Sequence, residues 1–122
     1  MQLIAIVHED AAVADDWAVG LSAAGYRVVT SASFEDGKAL LEAEDPPVLL
    51  IASVRLGAYN GLHLVIRGRL DRPGMAAILT SNTHDPILAA EAATYGAAYV
   101  SGALQRDALL FLSMQALGNM GV

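Results

Sequence analysis

His8, Glu9 and Asp10 form the densest run of chemically able side chains in this sequence, and Ser53, Thr80, His84 and Ser101 follow at wide intervals. A hydroxyl beside an imidazole is a nucleophile beside its base, so Ser53 and His8, oriented by Glu9, could make a hydrolytic dyad. No G-x-S-x-G elbow surrounds Ser53, however, and no oxyanion arrangement is evident. His8, His84 and Glu9 could instead hold a transition metal, although no fixed ligand spacing links the two histidines. The bland reading of the same residues is a half-buried polar pocket in which His8 and Ser53 satisfy each other's hydrogen bonds. His63, between Leu62 and Leu64, reads as structural.

These residues can meet only if the chain between them brings them to one place. Five short apolar runs do so: "LIAIV" (3–7), "RVVTS" (27–31), "VLLIAS" (48–53), "AAILTS" (76–81) and "AAYVS" (97–101). Most are continuously hydrophobic, the pattern of strands covered by helices on both faces of a parallel sheet. Helix signals separate them. Asp10 can cap a helix whose Val13, Trp17 and Leu21 share a face and which Gly25 stops. Ser33 with Asp36 makes a capping-box pattern before "GKALLEAE", ended by Pro46 and Pro47. "GLHLVIRGRL" is a third helix interrupted by Gly68, Asp85-Pro86 opens a fourth that Gly96 closes, and "ALQRDALLFLSMQAL" is the fifth. The fold class is therefore α/β, a single doubly wound (βα)5 flavodoxin-like sandwich over residues 1–122, with a five-stranded parallel sheet in the order 2-1-3-4-5. Such sheets gather their chemistry beyond the carboxyl ends of the strands, where His8, Glu9, Asp10, Ser53, Thr80, His84 and Ser101 fall.

Composition narrows the function. The chain has 122 residues, of which 55% are apolar, yet no apolar run approaches the ~20 needed to span a membrane. "MQLIAIVHED" lacks the basic start of a secretory signal, so the expected location is the cytoplasm. Thirteen acidic against seven basic residues give a net charge of −6, which repels a nucleic-acid backbone. The absence of Cys excludes disulfides and thiolate metal sites. The first Gly is Gly20, so the first loop offers no glycine-rich phosphate cradle. Arg55, Arg67, Arg69 and Arg72 lie within eighteen positions and read either as a solvated face or as a docking site for an acidic partner.

Four stretches, in order along the whole chain, resemble the receiver domain of bacterial two-component response regulators. "SVRLGAYNGL" resembles the acceptor loop, in which the phosphorylated Asp precedes a Gly by eight residues, and Gly61 counts back to Ser53. "ILTS" resembles the strand end whose Thr or Ser contacts the phosphoryl group, here Thr80. "YGAAYVSGAL" is similar to the stretch with an aromatic switch residue and a Lys-Pro pair, placing Tyr99 at the aromatic and Gly102-Ala103 at the pair. "IVHED" resembles the strand end with the acidic pair, here His8 and Glu9 with Asp10 just beyond.

The departures decide what the resemblance implies. In that family an Asp carboxylate attacks a phosphoryl group while a divalent cation and a Lys neutralise its oxygens. Here Ser53 replaces the nucleophile, His8 halves the acidic pair and Gly102 removes the Lys; the only lysine, Lys38, lies on the second helix. The expectation is a degenerate receiver (pseudo-receiver) in a two-component or phosphorelay context. It is not an enzyme, has no cofactor, has Mg²⁺ binding lost or very weak, and acts by phosphorylation-independent contact with a signalling partner such as a kinase or output protein. The alternatives are a phosphotransfer protein that uses Ser53 as an unorthodox acceptor, and a small metal-binding or hydrolytic domain using His8 and Ser53.

Charge also predicts assembly. From Pro86 to Val122 the only charged residues are Glu91, Arg106 and Asp107. Leu104, Ala108, Phe111 and Leu112 form the face that covers the sheet, leaving Leu109, Leu110 and Leu117 outside it. A helix apolar on most sides has two neighbours, and the expected second neighbour is another chain or a missing segment: a homodimer, or an obligate heteromeric partner, using the fourth helix, fifth strand and fifth helix, with Leu104, Arg106, Leu109, Leu110 and Leu117 at the interface.

Overall fold

The computed structural model describes residues 2–118. Its elements run β1 (Leu3–Val7), α1 (Ala11–Ala23), β2 (Arg27–Ser31), α2 (Phe34–Leu41), β3 (Leu49–Ser53), β4 (Arg55–Leu56), β5 (Tyr59–Asn60), α3 (Gly61–Asp71), β6 (Ala76–Ser81), α4 (Pro86–Thr94), β7 (Ala98–Ser101) and α5 (Arg106–Ala116). β1, β2, β3, β6 and β7 form one all-parallel sheet in the order β2-β1-β3-β6-β7, the expected 2-1-3-4-5 arrangement. The short antiparallel pair β4–β5 is an addition that the sequence reading did not anticipate.

Strand alternation builds two cores from one set of strands. Ile4, Ile6, Leu49, Ile51 and Ile78 point to the layer of α1 and α5, where Trp17, Leu21 and Leu109 meet them. Ala5, Val7, Leu50, Ala52 and Leu79 point to the opposite layer and pack against Leu41 of α2, Leu62, Leu64 and Val65 of α3, and Leu88 and Ala92 of α4. Successive residues of a strand face opposite sides, so a strand buried on both sides must be apolar throughout.

The three helix caps act as expected, and two other helix signals do not. Asp10 Oδ1 accepts the N–H groups of Ala12 and Val13, Ser33 accepts that of Asp36, and Asp85 accepts those of Ile87 and Leu88. Each satisfies donors that a helix start leaves unpaired. α2 ends at Leu41, several residues before the two prolines, because Glu42 already closes it. α3 runs unbroken through Gly68: a Cβ there would lie 2.5 Å from Met75 Cε, so the glycine lets the helix sit close to Met75 and Leu41.

The fifth helix corrects the sequence reading. Leu109, expected at an interface, is fully buried in the core, and Ser113 one turn later is buried with it. Phe111 and Ala108, expected against the sheet, are exposed. Leu110 and Leu117, with Leu104 and Leu112, pack at the margin of the α1 side of the core. The second neighbour of α5 is thus α1 of the same chain. Arg106, another expected interface residue, pairs with Asp16 of α1, its side-chain carbons lying against Gly20. His63 is exposed and supports no core. The arginines do not form one patch: Arg67 pairs with Glu42 at 3.2 Å, Arg69 donates to the Met75 carbonyl, and Arg55 turns toward the end of the sheet described next.

Candidate functional site

β1, β3 and β6 end side by side, and a cleft of about 730 Å³ opens above their carboxyl ends. It gathers His8, Glu9, Asp10, Ser53, Thr80 and Gly102, so each residue expected at the pocket from sequence borders one space. His84 and Tyr99 are not among its walls, although Thr83 and Asp85 are.

Ser53 is 6% exposed, and its Oγ donates to the carbonyl of Arg55 at 3.0 Å. His8 makes a different bond: its Nδ1 accepts the Asp10 N–H at 3.0 Å. The hydrogen bond expected between His8 and Ser53 is absent, because each side chain is claimed by the backbone two residues further on. Burial lowers the His8 pKa below its ordinary value, and the nearby carboxylates of Asp10 and Glu9 oppose this only in part. An Nδ1 that accepts a backbone N–H is also unprotonated, so geometry and solvation favour the same neutral state. The ring meets Trp17 edge-on at 5.3 Å.

Glu9 reaches across the cleft, its Oε2 accepting the Gly57 N–H at 3.2 Å from the β4–β5 turn. Asp10 is occupied as the cap of α1. Among the described residues no three His, Cys, Asp or Glu side chains gather as metal ligands, and His84 lies against Tyr99, 5.8 Å between ring centres. Tyr99 fastens the loop after β6: its hydroxyl donates to the Thr83 carbonyl at 3.1 Å and accepts the Asp85 N–H at 3.1 Å.

Thr80 pairs in register with Ser53 across the β3–β6 ladder. It is 6% exposed, and its Oγ1 is buried without a hydrogen-bond partner. Gly61 explains the spacing that singled out Ser53. A Cβ at Gly61 would lie 2.0 Å from the Ser53 carbonyl oxygen, and the Gly61 N–H bonds the Val54 carbonyl at 2.8 Å. The start of α3 therefore rests directly on the backbone of position 53, and only glycine permits that approach.

The sequence reading missed one wall of the cleft. Trp17, Val13 and Leu104 form an apolar side, tied together by a 3.0 Å hydrogen bond from Trp17 Nε1 to the Leu104 carbonyl. The signal was available in α1, where Val13 and Trp17 share a helical face that begins at the cap Asp10.

No protein-family model and no curated protein matches the chain. Solved structures do. A CheY-like response regulator receiver domain protein from Methanospirillum hungatei is 25% identical over 98% of this chain and 95% of its own, with a TM-score of 0.90. The chain folds as a response-regulator receiver domain. Response regulator DrrB of Thermotoga maritima, an OmpR/PhoB homologue, matches at 25% identity and a TM-score of 0.85, with 98% of this chain covering 54% of that one. A Burkholderia pseudomallei response regulator holding a phosphorylated aspartic acid, a calcium ion and citrate matches at 20% identity and a TM-score of 0.81, over all of this chain and 77% of its own. No helix among the described residues is long and apolar enough to cross a membrane.

Proposed function

We propose that this receiver-type chain is a signalling module that works through protein contacts and does not run the aspartyl-phosphate cycle. The observation that carries this reading is Ser53, which stands where the acceptor carboxylate is expected and has its hydroxyl turned to the Arg55 carbonyl. A neutral hydroxyl is a poor nucleophile without a base. The nearest imidazole by topology, His8, already spends Nδ1 on the Asp10 N–H. The Burkholderia relative was solved with a phosphorylated aspartic acid; position 53 here offers no such group.

The donor set also fails to suit a divalent cation, which takes several hard oxygens in octahedral array. Glu9 is held by Gly57, Asp10 caps α1, and position 53 contributes no carboxylate. Nor does Gly102 supply a cation for phosphoryl oxygens. The alternative use of Ser53 as the substrate of a serine kinase is disfavoured by its burial and its bond to Arg55, since a kinase needs an extended, accessible hydroxyl.

Intact-mass measurement after incubation with acetyl phosphate and Mg²⁺ tests the reading. The expected mass is unchanged, and the gain of one phosphoryl group removable by alkaline hydroxylamine would overturn it.

For the interaction itself we propose self-association through α4, β7 and α5. Its support is the exposure of Ile87 (72%), Phe111 (51%) and Tyr95 (41%) on a segment with three charged residues. Leu109 has no part in it, and Leu110 and Leu117 contribute at most their outer edges. Phe111→Glu is therefore a better probe than Leu110→Glu, because it leaves the core alone. Light scattering across a concentration series should show a dimer that this substitution dissociates; a monomer at every concentration would remove the proposal.

A further inference from the structure

The cleft retains features that a retired phosphoryl site does not need. Thr80 keeps a buried hydroxyl with no partner, and such a group costs stability unless something meets it. The same cleft has the apolar wall of Trp17, Val13 and Leu104, and its volume of about 730 Å³ lies within the ~300–1,000 Å³ usual for small-molecule sites. Glu9, Asp10 and Asp85 face this space against a single cation, Arg55. His8 is a weak source of positive charge, since its Nδ1 accepts the Asp10 N–H and burial lowers its pKa. The electrostatics have thus turned away from anions.

We propose that the cleft binds a small uncharged or cationic organic molecule of the aryl amide or amidine class. Its hydrogen-bonding head meets Thr80 Oγ1 and its ring lies along Trp17 and Leu104. An amide or amidine N–H can donate to the unpartnered Thr80 oxygen, while the carboxylates of Glu9, Asp10 and Asp85 tolerate or favour its charge. A phosphate or carboxylate head could also accept from the Thr80 hydroxyl, but it would face the carboxylates of Glu9, Asp10 and Asp85. This inference rests on the reading of the pocket as one that no longer handles phosphoryl groups, and it supplies an input for that site.

The test is an ¹H–¹⁵N NMR titration of the full chain with benzamidine, benzamide and benzoate, three probes of nearly one shape that differ in charge, with no phosphodonor present. Benzamidine and benzamide should shift the Thr80 amide and the Trp17 indole N–H saturably in the low-millimolar range, the affinity open to a fragment of about nine heavy atoms. Benzoate should bind at least about tenfold more weakly, and Thr80→Val should weaken benzamidine about tenfold, the worth of one hydrogen bond to a charged group. Circular dichroism of Thr80→Val checks that the variant is folded. No saturable shift at about 10 mM, equal binding of benzoate, or a folded Thr80→Val with undiminished affinity would each overturn the proposal. Failure here with an unchanged mass after acetyl phosphate removes only the ligand site; a phosphoryl gain removes the reading beneath it.

Discussion

Over Ile4–Val7, Leu49–Ala52 and Ala77–Leu79 the three central strands bury every side chain, whereas one residue further on the same strands deliver His8, Ser53 and Thr80 to a cleft. The two regions share backbone and ladder but answer to different demands. In the centre, each side chain is chosen by volume and apolarity, because close packing penalises a gap or a clash. At the strand ends the polar side chains bond to the backbone two residues on, or to nothing, so their identities can change without unsettling the layers below. The fold can therefore carry Ser at position 53 and Gly at position 102 without cost to the layers below. What the strand ends cannot lose is space: Gly61 against the Ser53 carbonyl belongs to the packing of the centre although it lies in the loop.

The largest expected effect tests where the centre ends. Leu109→Ala should cost about 2–5 kcal/mol in urea unfolding at an unchanged slope, as deletion of a fully buried leucine does. A loss below about 1 kcal/mol would return Leu109 to the surface assigned from sequence. Gly61→Ala comes next. Its methyl must displace the Ser53 backbone, and overpacking of this kind costs about 1–3 kcal/mol. Unaltered stability would show that the β3–α3 approach is looser than 2.0 Å implies.

Thr80→Val should go the other way, stabilising the chain by about 1 kcal/mol, because it deletes a buried hydroxyl that pays its desolvation for no bond. Destabilisation would instead mean that the hydroxyl is satisfied. Together with weakened benzamidine binding, a gain would define Thr80 as a residue kept for the cleft at the expense of the fold.

The smallest effect is the pH response of His8. Burial places its folded pKa below the ordinary 6.5, so as pH falls the unfolded chain takes up this proton first. Stability is full above about 6.5 and declines as pH is lowered through 6.5 toward the depressed folded value, below which this contribution is constant. The slope should be shallow, since the ring is only half-buried, and His8→Gln should remove it. A slope that survives that substitution belongs to other groups.

What the sequence determined by itself was whatever depends on neighbours along the chain. Period and composition mark each strand of the five-stranded sheet to within a residue, the three central ones most plainly, since a strand buried on both faces must be apolar at consecutive positions. Asp10, Ser33 and Asp85 mark helix starts because a cap bonds donors two or three residues away. The strand ends, and with them His8, Ser53 and Thr80 as neighbours, follow from the winding of the sheet. Tertiary structure alone decided the rotation of α5. Its leucines surround the helix, so no periodicity selects a face, and the simultaneous fit to the sheet and α1 chose Leu109 over Phe111. It also decided the partners at the cleft. Whether His8 bonds Ser53 or the Asp10 N–H, and whether Thr80 finds any partner, turns on a few tenths of an ångström in the placement of three strand ends, because a hydrogen bond exists only within a narrow range of distance and angle.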